Sequence, residues 1–197
     1  MNQYGRSMIE MLGVLAIIGV LSVGGIAGYS KAMMKSKINS TTELLLTIAT
    51  NVQNATLRTK KYDNLEQAAI KLKAIPDEAL NAGRTSLKSN PFNGSIKLGS
   101  FQPTASFYVA MNNLPKEACI SIASNKFGNA LIYAGSGEFS DNTLKNDLQN
   151  ANFRVANPTC SATVPYYCLK QVMSPAVAAK ACSCTNAGGC SIALVMF

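Results

Sequence analysis

The sequence predicts an α+β protein: a long N-terminal helix, membrane-spanning in its first half, packed on an antiparallel sheet, with a disulfide-stapled C-terminal region. Three observations carry this expectation. Residues 11–29 hold no charge and are almost wholly apolar, and neither Gly nor Pro interrupts residues 31–74. Beyond Pro76, turn residues separate short runs rich in β-branched and aromatic side chains, the pattern of strands joined by turns. The six cysteines, Cys119, Cys160, Cys168, Cys182, Cys184 and Cys190, all lie in the second half, and an even number in an exported chain implies disulfides.

The helix comes first. Met11 to Tyr29 reads MLGVLAIIGVLSVGGIAGY, which at 1.5 Å per residue spans roughly 28 Å, about one bilayer core. A secretory signal has a shorter apolar region, preceded by several basic residues, whereas here only Arg6 precedes the run. Past the span, Ile38, Thr42, Leu45, Ile48 or Ala49, Val52 and Ala55 recur at three- and four-residue steps, which extends the helix from about Ser7 to Leu57 with an amphipathic second half. Asp63-x-x-Glu66 is a variant capping box that leads a second helix through Leu65, Ala68, Ala69, Leu72 and Ile75, before Pro76. Strands are expected at Gly94–Leu98, Ser106–Met111, Ala130–Ala134 and Ile192–Phe197, and helices at Pro115–Ser124 and Asn142–Asn150. The last strand is apolar throughout, as a strand buried on both faces would be.

Composition narrows the function. Net charge is +8, but the lysines and arginines are scattered and no run of five occurs. A solvated positive surface therefore accounts for them better than a DNA- or glycan-binding patch. The chain has no His, which removes the commonest general base and metal ligand. Ser136, in Gly135-Ser136-Gly137, has no histidine base and reads as a turn. No enzyme, no cofactor and no metal are expected. Cys182-x-Cys184 with Cys190 is the one pattern with the ligand spacing of a metal site, and the exported context favours disulfides for it.

Glu10 is the residue that demands a function. It stands among Met8, Ile9, Met11 and Leu12 at the head of the apolar run, where a carboxylate near hydrocarbon costs on the order of 2.5–3.5 kcal/mol. A plain anchor gains nothing from it. A headgroup-level position, or a pair with Arg6 one helical turn earlier, are the ordinary explanations.

Gly5-Arg6-Ser7-Met8-Ile9-Glu10 ahead of an apolar helix resembles the prepilin peptidase signature of type IV pilins. Asn90-Pro91-Phe92-Asn93-Gly94 and Leu114-Pro115-Lys116-Glu117-Ala118-Cys119 resemble the type IVb branch. Arg6 stands where the family usually has an apolar residue, and the leader MNQYG has no basic residue. The resemblance implies cleavage after Gly5 and methylation of the new amine on Arg6. It divides the chain into a leader (1–5), a transmembrane and polymerisation helix (6–30), its amphipathic continuation (31–60) and a globular head (61–197). It also implies as partners prepilin peptidase, the pilus assembly machinery, the inner membrane before assembly, further copies in a helical filament, and a cell-surface receptor or DNA. The head would be periplasmic before assembly and the pilus extracellular afterwards. The last strand would be central in the sheet.

In such a filament Glu10 of one subunit meets the Arg6 amine or guanidinium of a neighbour, so that each buried charge has a partner and the register is fixed. Gly24 and Gly28 form a G-x-x-x-G spacing that admits a close neighbour; the resemblance instead suggests unwinding at Gly19 or Gly24-Gly25. A type II secretion pseudopilin or a minor tip pilin with a receptor-binding role shares this chemistry and is the alternative. One observation opposes the orientation: Lys31, Lys35 and Lys37 follow the span while Arg6 alone precedes it, against the positive-inside tendency. The cysteines and the cleavage motif outweigh it. Six cysteines allow 15 pairings. Cys119–Cys160 is the favoured bond, closing about 42 residues and contributing roughly 3–4 kcal/mol, with Cys168, Cys182, Cys184 and Cys190 forming the other two.

Overall fold

The computed structural model describes residues 8–56, 64–102, 106–137, 139, 159–160, 166–169, 171–184 and 189–197. It falls into two compact units that divide between Lys37 and Ile38. Helix α1 (Met8–Thr56) runs through both. In the first unit it is the only described element, and its large apolar side chains from Met11 to Met33 are exposed.

The second unit begins at Ile38 on α1. Its buried stripe is Thr41, Leu44, Leu45, Ile48, Ala49, Val52 and Thr56, a 3.6-residue repeat. This corrects the expected stripe at both ends. Thr42 is half-buried and Ala55 exposed, because the face through Leu45 and Val52 continues four residues away to Thr41 and Thr56. Burial of Thr56 is tolerated since its hydroxyl donates to the Val52 carbonyl at 2.7 Å.

Helix α2 (Leu65–Lys71) and a 3₁₀ turn (Asp77–Ala79) follow. The capping box does not form as expected. Asn64 occupies the N-cap in a left-handed conformation, φ 48°, with no side-chain cap. That leaves Glu66 at the second helical position, where Oε1 accepts from Leu87 N at 3.3 Å and ties the helix to a distant loop. Asp63 lies outside the described residues.

The sheet holds β1 (Ile96–Gln102), β2 (Ser106–Leu114), β3 (Leu131–Ser136), β4 (Thr159–Cys160), β5 (Tyr166–Leu169) and β6 (Cys190–Met196). Their order is β1-β2-β6-β3-β5-β4 and every pairing is antiparallel. Strand β6 lies between β2 and β3, and Ile192 to Val195 are buried, as an unbroken apolar run requires. Phe197 falls beyond the strand and is exposed. Register sorts the side chains into two faces. The row Leu98–Val109–Leu194–Ile132 joins the core shared with the α1 stripe. The adjacent row, Tyr108–Val195–Leu131, joins a second core with Tyr133 and Phe139, whose rings meet edge to face at 4.8 Å.

Helix α3 (Lys116–Ala123) starts after Pro115, which serves as N-cap rather than first helical residue. Helix α4 (Pro175–Ala181) was not anticipated. Its signal was present: Ser174 caps it, accepting from Val177 N at 3.4 Å, and Pro175 follows at the first position. Strands β4 and β5 were not anticipated either; both are short, and sheet pairing rather than length sustains them. The helix expected at 142–150 lies outside the described residues.

Candidate functional site

The candidate site is the start of α1. Twelve large apolar side chains between Met8 and Tyr29 are exposed, from 53% at Met11 and Ile18 to 82% at Met8. Exposed apolar surface on this scale marks a surface that another molecule or a membrane covers. The helix is long and apolar enough to cross a membrane. Its polar groups suit lipid: Ser22 Oγ donates to Ile18 O at 2.7 Å and Ser30 Oγ to Ile26 O at 3.0 Å, so neither hydroxyl is left unsatisfied in hydrocarbon. Between Met8 and Ser30 the single charged residue is Glu10, and it is exposed. Gly5 and Arg6 lie outside the described residues.

The glycines of this segment add a second observation. A methyl group at Gly13, Gly19, Gly24, Gly25 or Gly28 would meet nothing within 4 Å. Packing among the described residues therefore gives no reason for them, though each weakens the helix by about 1 kcal/mol relative to Ala.

The disulfides of the second unit correct the favoured pairing. Cys119 bonds Cys182, Cys160 bonds Cys168 and Cys184 bonds Cys190. Loop length alone does not select partners; α4 does, by carrying Cys182 to Cys119 on α3, while Cys160 and Cys168 face each other directly across β4 and β5. The sulfurs of Cys119, Cys182 and Cys190 lie within 4.8 Å of one another. All three are committed to disulfides, and thiolates are what metals ligate.

The Asn90–Gly94 motif is a structural joint. Asn90 Oδ1 accepts from Phe92 N at 2.9 Å and Gly94 N at 3.0 Å, and Nδ2 donates to Asn112 O at 2.8 Å. Asn93 takes φ 60°, and a side chain at Gly94 would strike the Asn112 carbonyl. The loop so locked to β2 walls a groove of ≈ 300 Å³ against Ser40 and Leu44 of α1, with Glu78 and Lys88 at its charged positions.

An α+β head carrying a bare apolar helix defines a class: a subunit whose N-terminal segment is finished only in an apolar environment outside itself. The chain belongs to the PilS N-terminal family, whose model matches residues 27–164, more than half of its length. Two curated relatives are each the major structural subunit of bundle-forming pilus, from Escherichia coli O111:H- and Escherichia coli O127:H6 (strain E2348/69 / EPEC). They are 24% and 23% identical over 185 residues, spanning 92% of this chain and 89% of each relative. Among solved structures, the type IV b pilin from Salmonella typhi aligns with a TM-score of 0.47 at 14% identity, over 79% of this chain and 97% of that one. TcpA, a type IV pilin from Vibrio cholerae El Tor biotype, aligns with a TM-score of 0.46 at 16% identity, over 80% and 99%.

Proposed function

We propose that this chain is a type IV pilin of the type IVb branch, a structural subunit of a pilus filament. The observation that carries the reading is the exposed apolar face of α1 with one carboxylate, Glu10, at its head. Such a helix is stable in a bilayer before assembly and among copies of itself afterwards, since both surround it with apolar atoms. The names of the curated relatives favour a major subunit over a pseudopilin or a tip pilin.

The steps are those that the resemblance of residues 5–10 to the prepilin peptidase signature implies. Prepilin peptidase cuts after Gly5, leaving an amine on Arg6 that is methylated. The assembly machinery draws the subunit from the inner membrane, with its head periplasmic, into the growing fibre. There Glu10 meets the Arg6 amine of a neighbour, and the pair fixes the axial register. The open space around the glycines of α1 lets neighbouring helices approach closely. The work is assembly, with no substrate turned over, and contact with a receptor or DNA belongs to the finished fibre.

The test is Glu10→Ala. The span keeps its apolar character, so the variant is exported and cut, and mass spectrometry finds a mature chain beginning at Arg6. Its amount in sheared surface filaments falls by about 100-fold or more, the equivalent of the roughly 3–5 kcal/mol lost on leaving a buried charge unpaired. Normal filament yield would refute the pairing. A mature chain that keeps residues 1–5 would refute the processing step.

A further inference from the structure

Immediately past the apolar span, α1 presents Lys31 and Lys35, both exposed. They are four residues apart and so lie on one face of the helix. The positions three and four residues from each are Ala27, Gly28, Ala32, Met34, Ile38 and Asn39, besides the two lysines themselves, and no acidic residue occurs from Met11 to Thr42. A like-charge pair at this spacing destabilises a helix unless an anion bridges it. Tyr29 precedes the pair and is 67% exposed, the placement of an aromatic ring at headgroup level. From Glu10 to Tyr29 the helix rises roughly 28 Å, so a span with Glu10 at one boundary puts Lys31 and Lys35 among the phosphates of the other.

We infer that Lys31 and Lys35 form a binding site for the phosphate of an anionic phospholipid in the leaflet on the side of the head. The inference rests on α1 being the membrane anchor, as proposed above. It also gives physical content to the lysines that stand on the wrong side for the positive-inside tendency. A bridged anion neutralises them where they are, holds the subunit at a fixed depth, and is left behind when the helix leaves the bilayer for the filament. Anionic lipid attracts each juxtamembrane lysine by about fivefold in affinity, so the two together are worth about 30-fold.

The experiment uses the full chain in lipid nanodiscs of phosphatidylcholine containing a minority of phosphatidylglycerol, with retained lipids counted by native mass spectrometry. The wild-type chain retains phosphatidylglycerol in preference to phosphatidylcholine. Lys31→Gln/Lys35→Gln loses that preference by about 30-fold, whereas Lys71→Gln/Lys180→Gln, which alters two exposed lysines of the head, keeps it. Equal retention by the wild type and Lys31→Gln/Lys35→Gln overturns the inference, as does loss of the preference in the head variant. Inorganic phosphate added to pure phosphatidylcholine discs leaves no adduct on the chain; an adduct removed by Lys31→Gln/Lys35→Gln would make the site one for free anions and overturn the lipid assignment. A chain that does not enter the discs sinks the anchor reading and this inference with it, and is seen before any lipid is counted.

Discussion

Removing the Cys119–Cys182 bond, by Cys119→Ser/Cys182→Ser, is the most informative perturbation of the head. The bond joins residues 63 apart, against 8 for Cys160–Cys168 and 6 for Cys184–Cys190. In the chain-entropy account the long loop is worth about 4 kcal/mol and each short one about 2.5 kcal/mol. For a domain of this size each kcal/mol moves the midpoint by roughly 2–4 °C, so the double variant melts about 8–16 °C below the wild type and Cys160→Ser/Cys168→Ser about 5–10 °C below. Both cysteines of a pair are replaced because Cys190 Sγ lies close to Cys119 and Cys182, where a lone thiol would exchange. The assay is near-ultraviolet circular dichroism of the full chain in detergent, heated without reductant. A tryptic digest reports the pairing independently. Cys160 and Cys168 share the peptide between Arg154 and Lys170, so a cross-link from the Cys119 peptide to it would contradict Cys119–Cys182, and a link to the peptide after Lys180 excludes Cys119–Cys160 and confines the partner to Cys182, Cys184 or Cys190. A melting shift for Cys119→Ser/Cys182→Ser no larger than that for Cys160→Ser/Cys168→Ser would refute the loop-length reasoning.

Three further substitutions probe different layers. Ile48→Ala opens a cavity beneath the buried stripe of α1 and lowers head stability by about 2–5 kcal/mol, whereas Leu15→Ala, 62% exposed in the subunit, leaves the midpoint of the head unmoved and weakens filaments against shear; a head that melts earlier in Leu15→Ala would contradict the exposure. Asn90→Ala removes three hydrogen bonds and strands the Gly94 N–H and the Asn112 carbonyl, two buried residues, for a loss of about 2–4 kcal/mol, measured by chemical denaturation. Gly99→Ala puts a methyl against the Tyr108 ring, which lies across Gly99 from the paired position on β2, and costs about 1–3 kcal/mol by overpacking; a neutral result in the same denaturation would mean the ring can swing aside.

Features that depend on neighbours along the chain could be read from the order of residues. The apolar span, the long helix, the cores of β1, β2, β3 and β6 and the α+β class were legible because hydrophobic period and turn residues act locally, and Glu10 was conspicuous because a carboxylate beside hydrocarbon needs a reason. Tertiary structure alone decided what depends on residues far apart. It chose Thr41 and Thr56 over Thr42 and Ala55, turned Glu66 from a cap to a loop tie, and made Asn90 the lock on β2. It also set Cys182 beside Cys119 through a seven-residue helix that needs the sheet and α3 to exist, since a helix that short is unstable on its own. Disulfide partners follow from where the fold places sulfurs, and a linear spacing holds no record of that placement.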